Sequence, residues 1–396
     1  MVGMAPDPME VAKIERRARG IHDPIMRLKY LHAATSQPGR SVWRRWRWLA
    51  FPVLAVLSLG SHAVVRDPAG RKPRAAAAGT AAVSAAAPAA GDSAEAPNVW
   101  RVENTAEYEV YSNGLRIENG LAVANEPRSY RLIPLGGAAG PGAAAGFEPR
   151  RDQPAGIVFH TTESCQAPFE PSQNRALKRI GQSLLQYIRG KRAYHFVIDR
   201  FGRVHRIVAE SDAANHAGHS LWADKDWLYM GLNASFLGVA FEATTQTGPD
   251  QAPANQAQIH AAKVLTEMLR SKYHIPAENC VTHAQVSVNP DNMRIGWHTD
   301  WGTNFPFREL GLPDNYETPN PGLYLFGFEY DPAYRSSTSP ALWKGLELAE
   351  DRLRARAAAL GFAEAGYRKL LQQRYRDRVA AQQRRNADEE NEHEQK

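Results

Sequence analysis

From Arg66 to Asn98 the chain is built mostly from Ala, Gly, Pro and Ser, with runs such as Ala75-Ala76-Ala77-Ala78-Gly79. A segment of this kind cannot bury enough apolar surface to offset the entropy of ordering it, so residues 66–98 read as a flexible, disordered linker. An Ala-rich helix there would be interrupted at Gly79, Pro88 and Gly91. Any fold must therefore be assembled from the residues beyond Asn98, and the stretch before the linker has to be understood separately.

That stretch carries the charge of the whole protein. Residues 1–48 hold ten Lys+Arg and four Asp+Glu, which equals the formal excess of +6; the remaining residues balance. The folded part thus has no nucleic-acid-like charge signature, and no nucleic-acid partner is expected. The basic arm ends in Trp43-Arg44-Arg45-Trp46-Arg47-Trp48, and residues 49–65 follow without a charge. Arginines and tryptophans beside an apolar run fit the cytoplasmic flank of a membrane segment. The densest part, Leu49 to Leu59, is shorter than the roughly 20 residues of a full span and resembles a signal-peptide core. Ser61-His62-Ala63 offers small residues for cleavage. The expectation is a signal-anchor or signal peptide at 49–65 engaging the cytoplasmic membrane. The rest would lie in the cell envelope, anchored to the inner membrane on its periplasmic or extracellular side, or secreted if cleaved near Ala63.

Order resumes near Asn98. Tyr108 to Ile117 alternates around Asn113-Gly114, a dipeptide suited to a hairpin turn, whereas Gly136 to Gly146 reads as a linker. Residues 99–153 are expected to extend the domain that begins near Pro154. Gly156 to Phe159 and Leu237 to Phe241 are buried-strand signals, and Tyr194 to Ile198 and Val204 to Val208 flank a turn. Leu177 to Ile188 and Gln256 to Tyr273 have helical spacing. Strands mixed with helices indicate an α/β or α+β domain. The tail, 341–396, is charged, with Leu342, Leu346, Ala349 and Leu353 at helical spacing. It is expected to form amphipathic helix that packs on the domain or on a protein partner.

Chemistry concentrates at three of the thirteen histidines. His160 ends an apolar strand; His283 follows Cys280-Val281-Thr282; and in His298-Thr299-Asp300 the outer side chains face the same way if the segment is extended. Two imidazoles and a carboxylate, with one position left for water, make the ligand set of a catalytic zinc site. No His-Glu-x-x-His is present, and two cysteines, Cys165 and Cys280, cannot build a disulfide scaffold or a thiolate cage.

From about Pro154 to Leu312 the sequence resembles the zinc-dependent N-acetylmuramoyl-L-alanine amidases, a fold shared with peptidoglycan recognition proteins. The resemblance rests on Val158-Phe159-His160-Thr161, Ala193 to Gly202, Asn215-His216-Ala217-Gly218, Asn233 before Leu237-Gly238-Val239, the helix after Gln256, and Thr282-His283 followed by His298-Thr299-Asp300, in that order. It implies an α/β fold over 154–335 with a mixed central β-sheet flanked by helices. It further implies Zn2+ held by His160, His283 and Asp300, and hydrolysis of the amide joining N-acetylmuramic acid to L-alanine in peptidoglycan or a muropeptide. Tyr194 takes the position of a catalytic tyrosine. Members that use a strand glutamate instead have it where this chain has Ala240, which leaves Glu242, two residues on, in reserve. His298 stands where many members carry a lysine, and could hold an oxyanion or protonate the leaving amine. His216 and Asn233 match positions that bind substrate, although His216 equally fits the cap of a turn, and His195 is expected beneath the site.

The chain also departs from the pattern. Trp301-Gly302 replaces the usual Pro-Gly, and the loop from Ala284 to Trp297 is longer than typical. One of Trp222, Trp227, Trp297 and Trp301 is expected to stack on sugar, and the two cysteines are expected as buried free thiols rather than a bridge. Two rival functions stay open: a non-catalytic peptidoglycan-binding module of the same fold, and a zinc hydrolase of another amide or peptide. The presence of all three ligands favours the enzyme over the binding module.

Overall fold

The computed structural model describes residues 98–135, 150–245, 254–302, 304–330, 334–335, 338 and 340–394. The basic arm, the apolar segment 49–65, the Ala-rich linker up to residue 97 and the Gly/Ala loop at 136–146 lie outside these residues. Among the described residues no helix is long and apolar enough to cross a membrane.

Strand β5, Gly156–Thr161, is buried along its entire length. A strand can be apolar on both faces only when both are covered, which is the signature of the interior of a parallel sheet. β10, Phe236–Phe241, lies parallel to β5 with Ala240 opposite His160. β11, Cys280–Thr282, flanks β5 on its other side, and β6, Phe196–Ile198, flanks β10, both also parallel. β7, Val204–Arg206, returns antiparallel to β6. Strands β1 (Arg101–Asn104), β2 (Tyr108–Tyr111) and β3 (Arg116–Glu118) add a meander to the edge at β7, giving the order β1-β2-β3-β7-β6-β10-β5-β11. The expected mixed sheet is therefore present. A smaller antiparallel sheet pairs β4 (Ile133–Pro134) with β9 (Trp227–Met230), and β9 with β8 (Leu221–Ala223). The hairpin expected at Asn113-Gly114 joins β2 to β3, with Gly114 at φ +87° and the Asn113 amide donating to the Val264 carbonyl.

Alternation along β5 and β10 separates two faces. Ile157, Phe159, Leu237, Val239 and Phe241 point to the larger core. Helix α2, Gln256–Tyr273, begins with the Asn255/Gln258 capping box and supplies Leu265, Met268 and Leu269 to that core. Val158, Ala240 and His160 face the other way. There helix α1, Asn174–Lys191, covers Val197 and Ala240 with Leu185 and Ile188.

The N-terminal meander is stitched to the sheet by a buried ionic cluster. Arg206 bridges Glu109 at 2.9 Å and Glu210 at 3.0 Å, and also donates to the Asn119 side chain. The C-terminal tail packs on the domain, one of the two arrangements its pattern allowed. Helices α4 (Pro340–Ala359) and α5 (Glu364–Glu394) follow α3, Pro321–Phe326. Gly345 lets α4 lie directly on backbone: a Cβ there would stand 2.5 Å from the carbonyl oxygens of Tyr316 and Thr318. Arg368 of α5 donates to the Phe328 carbonyl and pairs with Glu350, while Tyr375 packs edge-on against Phe326 and Phe328.

Candidate metal centre

His160 comes from β5, His283 begins the short helix after β11, and Asp300 lies at the far end of the long loop after that helix. The loop, read from sequence only as longer than typical, folds back as a hairpin pairing Val288–Asn289 with Arg294–Ile295. It therefore returns the chain to the sheet, and the three side chains meet. Their ligand atoms lie within 4.8 Å of one another and all three residues are buried. Asp300 Oδ1 is 2.8 Å from His283 Nδ1, and Oδ2 is 3.1 Å from His160 Nδ1.

The hydrogen bonds behind the cluster decide which atoms carry protons. The Phe236 carbonyl can only accept, so His216 Nε2, 3.3 Å away, donates to it. His216 Nδ1 is then a lone pair and accepts from His160 Nε2, 3.1 Å away. His160 Nδ1 is left without a proton, facing a carboxylate that cannot donate. Burial, reinforced by His283, lowers the pKa of His160 to about 4, so a second ring proton does not relieve the clash at neutral pH. Burial opposes the charge on Asp300, but His283 beside it outweighs burial and holds the carboxyl well below its ordinary range. The bare Nδ1 of His160, the His283 Nδ1 and the Asp300 carboxylate converge on one point, and the donor types are those of a metal site.

His216 is itself clamped. Asn233 Oδ1 accepts from the backbone N–H of His216 at 3.0 Å and of Ala217 at 2.7 Å, and Gly238 underlies the ring so closely that a Cβ would meet His216 Cγ at 2.6 Å. Both nitrogens of His216 are engaged by protein groups, so the two residues matched to substrate-binding positions are held against the ligand shell. His195 lies beneath as expected: Nδ1 accepts the Gly238 N–H at 2.9 Å, and Nε2 stands 3.0 Å from the Asp212 carbonyl.

Tyr194 is not in a strand, which begins at Phe196. After α1 ends, Arg192 (φ +49°) and Tyr194 (φ +62°) both adopt left-handed backbone. In a bulky residue this conformation costs on the order of 1–3 kcal/mol and is kept where the surroundings require it. Here it turns the ring to within 5.0 Å of the His160 ring, centroid to centroid. The His298 ring stacks on His283, 4.6 Å apart and 16° from parallel. Glu242 is not brought into the cluster. It lies just past the end of β10, accepts the Arg200 N–H at 3.0 Å, approaches Gly181 of α1, and burial raises its pKa.

The four tryptophans separate by exposure. Trp222 and Trp301 are fully buried and Trp227 is half-buried, whereas Trp297, adjacent to His298, is 51% exposed. Trp301, the departure from Pro-Gly, packs edge-on against Phe241 and Phe305 and so roots the Asp300 loop in the core. Both cysteines are free, but only Cys280 is buried; Cys165 is exposed on the loop after β5, correcting the expectation of two buried thiols. His205 is largely buried against Asp199 at 3.3 Å.

A family model described as N-acetylmuramoyl-L-alanine amidase matches residues 150–303. The match covers this segment and not the chain as a whole. The segment contains His160, His283 and Asp300 together with Tyr194, His216 and His298. Among solved structures, the chain is similar to the N-acetylmuramoyl-L-alanine amidase LysC from Clostridium intestinale URNW, at 22% identity over 40% of this chain and 83% of that one, TM-score 0.24. It is similar to the amidase AmiD from E. coli in complex with anhydro-N-acetylmuramic acid-L-Ala-D-gamma-Glu-L-Lys, at 21% over 50% and 88%, TM-score 0.32. A third likeness is the Drosophila peptidoglycan recognition protein SD, at 17% over 42% and 84%, TM-score 0.25. A search of curated proteins returned no match. The meander and the C-terminal helices, which complete the sheet and brace the Asp300 loop, lie outside the amidase-family segment.

Proposed function

We propose that the chain is a zinc-dependent hydrolase of the amide between N-acetylmuramic acid and L-alanine in peptidoglycan or muropeptides. The observation that carries this is the buried convergence of His160, His283 and Asp300, with the proton of His160 held on its far nitrogen by His216. Zinc, when bound, supplies a water whose pKa falls towards about 7 and polarises the scissile carbonyl. The remaining work belongs to the chain. Asp300 and the two Nδ1 atoms hold the ion, and His216 keeps the His160 ring in the ligating tautomer. Tyr194, next to His160, orients the attacking water or donates to the developing oxyanion. His298, stacked on His283, donates a proton to the leaving amine or shares the oxyanion. Glu242, two residues beyond Ala240 and bonded to the Arg200 N–H, takes no part.

The test is the purified full chain, with zinc, on muropeptides. Release of free peptide that is lost in His160→Ala supports the amidase. Binding without turnover would make the domain a receptor, and inertness on both counts would point to another amide. The Arg/Trp-flanked apolar segment 49–65 supports an envelope location with this domain outside the cytoplasm; recovery of the intact chain in the soluble cytosolic fraction would count against it.

A further inference from the structure

Arg128 lies in the extension that precedes the amidase-family segment, and it is 2% exposed. Its strap runs along the chain after β7: Pro127 bridges Asp212, and the Arg128 N–H donates to the Ser211 carbonyl at 2.8 Å. The guanidinium reaches past this strap to the back of the metal centre. It donates to the carbonyls of Glu210 at 2.9 Å, Asp212 at 3.1 Å, Phe236 at 3.4 Å and Ala234, and Nη2 stands 2.8 Å from His195 Nε2. Among the described residues these partners include no carboxylate. A buried cation whose hydrogen bonds reach no carboxylate is costly, so this arginine is expensive as mere filling. What it provides is geometry, because the rigid fork of a guanidinium can draw several carbonyls to one point where a lysine addresses fewer.

One of those carbonyls matters beyond the fold. Phe236 C=O accepts from Arg128 Nη1 and also from His216 Nε2, and His216 in turn fixes the tautomer of His160. We infer that Arg128 is a positioning residue of the metal centre: by gripping the Phe236, Ala234 and Asp212 carbonyls it fixes the acceptor that orients His216, and through His216 the ligating nitrogen of His160. This rests on the zinc reading of the site and adds to it a residue from outside the family segment.

The test measures zinc dissociation from the full chain by competition with a chromogenic chelator, alongside circular dichroism and melting temperature. In Arg128→Met, which removes the fork but fills the space, zinc should bind about tenfold more weakly, the scale of losing an outer partner of a metal ligand. Arg128→Lys, which keeps the charge and is the safer folder, should fall between Met and wild type. In the zinc-free chain, ¹⁵N shifts of His216 should change from a single Nε2–H tautomer to a mixture in either variant. Wild-type zinc affinity in either folded variant, even with a lowered melting temperature, overturns the positioning role while leaving the metal centre intact. A wild-type chain that binds no zinc overturns the metal centre and this inference with it.

Discussion

At the scale of single residues, the site is a set of conformations that are each unfavourable alone. Tyr194 holds a left-handed backbone, His160 is a neutral imidazole with its bare nitrogen against a carboxylate, and His283 Nε2 is buried without a hydrogen-bond partner among the described residues. These separate by experiment. Tyr194→Phe keeps the ring and the backbone but removes the hydroxyl, so zinc affinity should stay at the wild-type value while kcat falls roughly 10²–10³-fold, the usual cost of one oxyanion donor. An unchanged kcat would remove Tyr194 from the chemistry and leave it as a packing residue. His216→Ala has the opposite signature. It removes the acceptor for His160 Nε2–H, so zinc should bind about 10–100-fold more weakly, as measured by chelator competition, and kcat at saturating zinc should change less than in Tyr194→Phe.

At the scale of elements, β10 positions the site as much as β5 does. Gly238 sits beneath the His216 ring, and Gly238→Ala would place a Cβ 2.6 Å from Cγ of that ring. The ring must then shift, so the variant should retain its circular dichroism spectrum yet lose zinc affinity; wild-type affinity would show the ring free to give way. A parallel argument applies to the C-terminal segment, where Tyr334 donates to the Ala284 carbonyl at 3.0 Å next to His283. Tyr334→Phe should cost about 1–3 kcal/mol for the orphaned carbonyl, read as a fall in urea midpoint. The elements legible from sequence were those with one dominant period. β5 and α2 were legible because continuous burial and helical spacing act within a few residues, and His160 and His283 because each follows a short apolar run, whereas Asp300 was legible from the resemblance. Left illegible were contacts made across the chain. Nothing local marks Tyr194 for left-handed backbone, since that conformation follows from how α1 meets β6. Nothing local marks Arg128 either, whose partners lie at 195, 210–212 and 234–236. The hairpin in the 284–297 loop was read only as extra length, because its two-residue strands are too short to show alternation.

The whole molecule buries three neutral histidines, His160, His195 and His216, in one connected cluster beside a cationic arginine, and this sets how its stability depends on pH. Burial depresses all three, with Arg128 adding to the effect on His195 and neighbouring imidazoles on His216. In the unfolded chain each titrates near 6.5. The unfolded state therefore binds more protons than the folded one once the pH drops below about 6.5, and stability falls as the pH goes down from there. For His160 the window runs from 6.5 to about 4; at about 1.4 kcal/mol per unit the loss is on the order of 3 kcal/mol. The carboxylates of the Arg206 cluster act in a lower window: Arg206 and Tyr111 hold Glu109 below its ordinary value despite burial, so its contribution is lost only as that carboxylate protonates. The melting temperature of the zinc-free full chain should therefore be level above pH 7 and fall by roughly 5–10 °C between pH 6.5 and 4.5. Zinc binds only the deprotonated ligands, so the rise in melting temperature that it confers should be largest above pH 6.5 and shrink across the same window. His216→Asn removes one titrating ring and should flatten the slope of the zinc-free chain. A melting temperature independent of pH from 7.5 to 4.5 would mean that the three rings already reach water and protons in the folded state, and the cluster could not then be the sealed, neutral ligand shell that a tightly held cation requires.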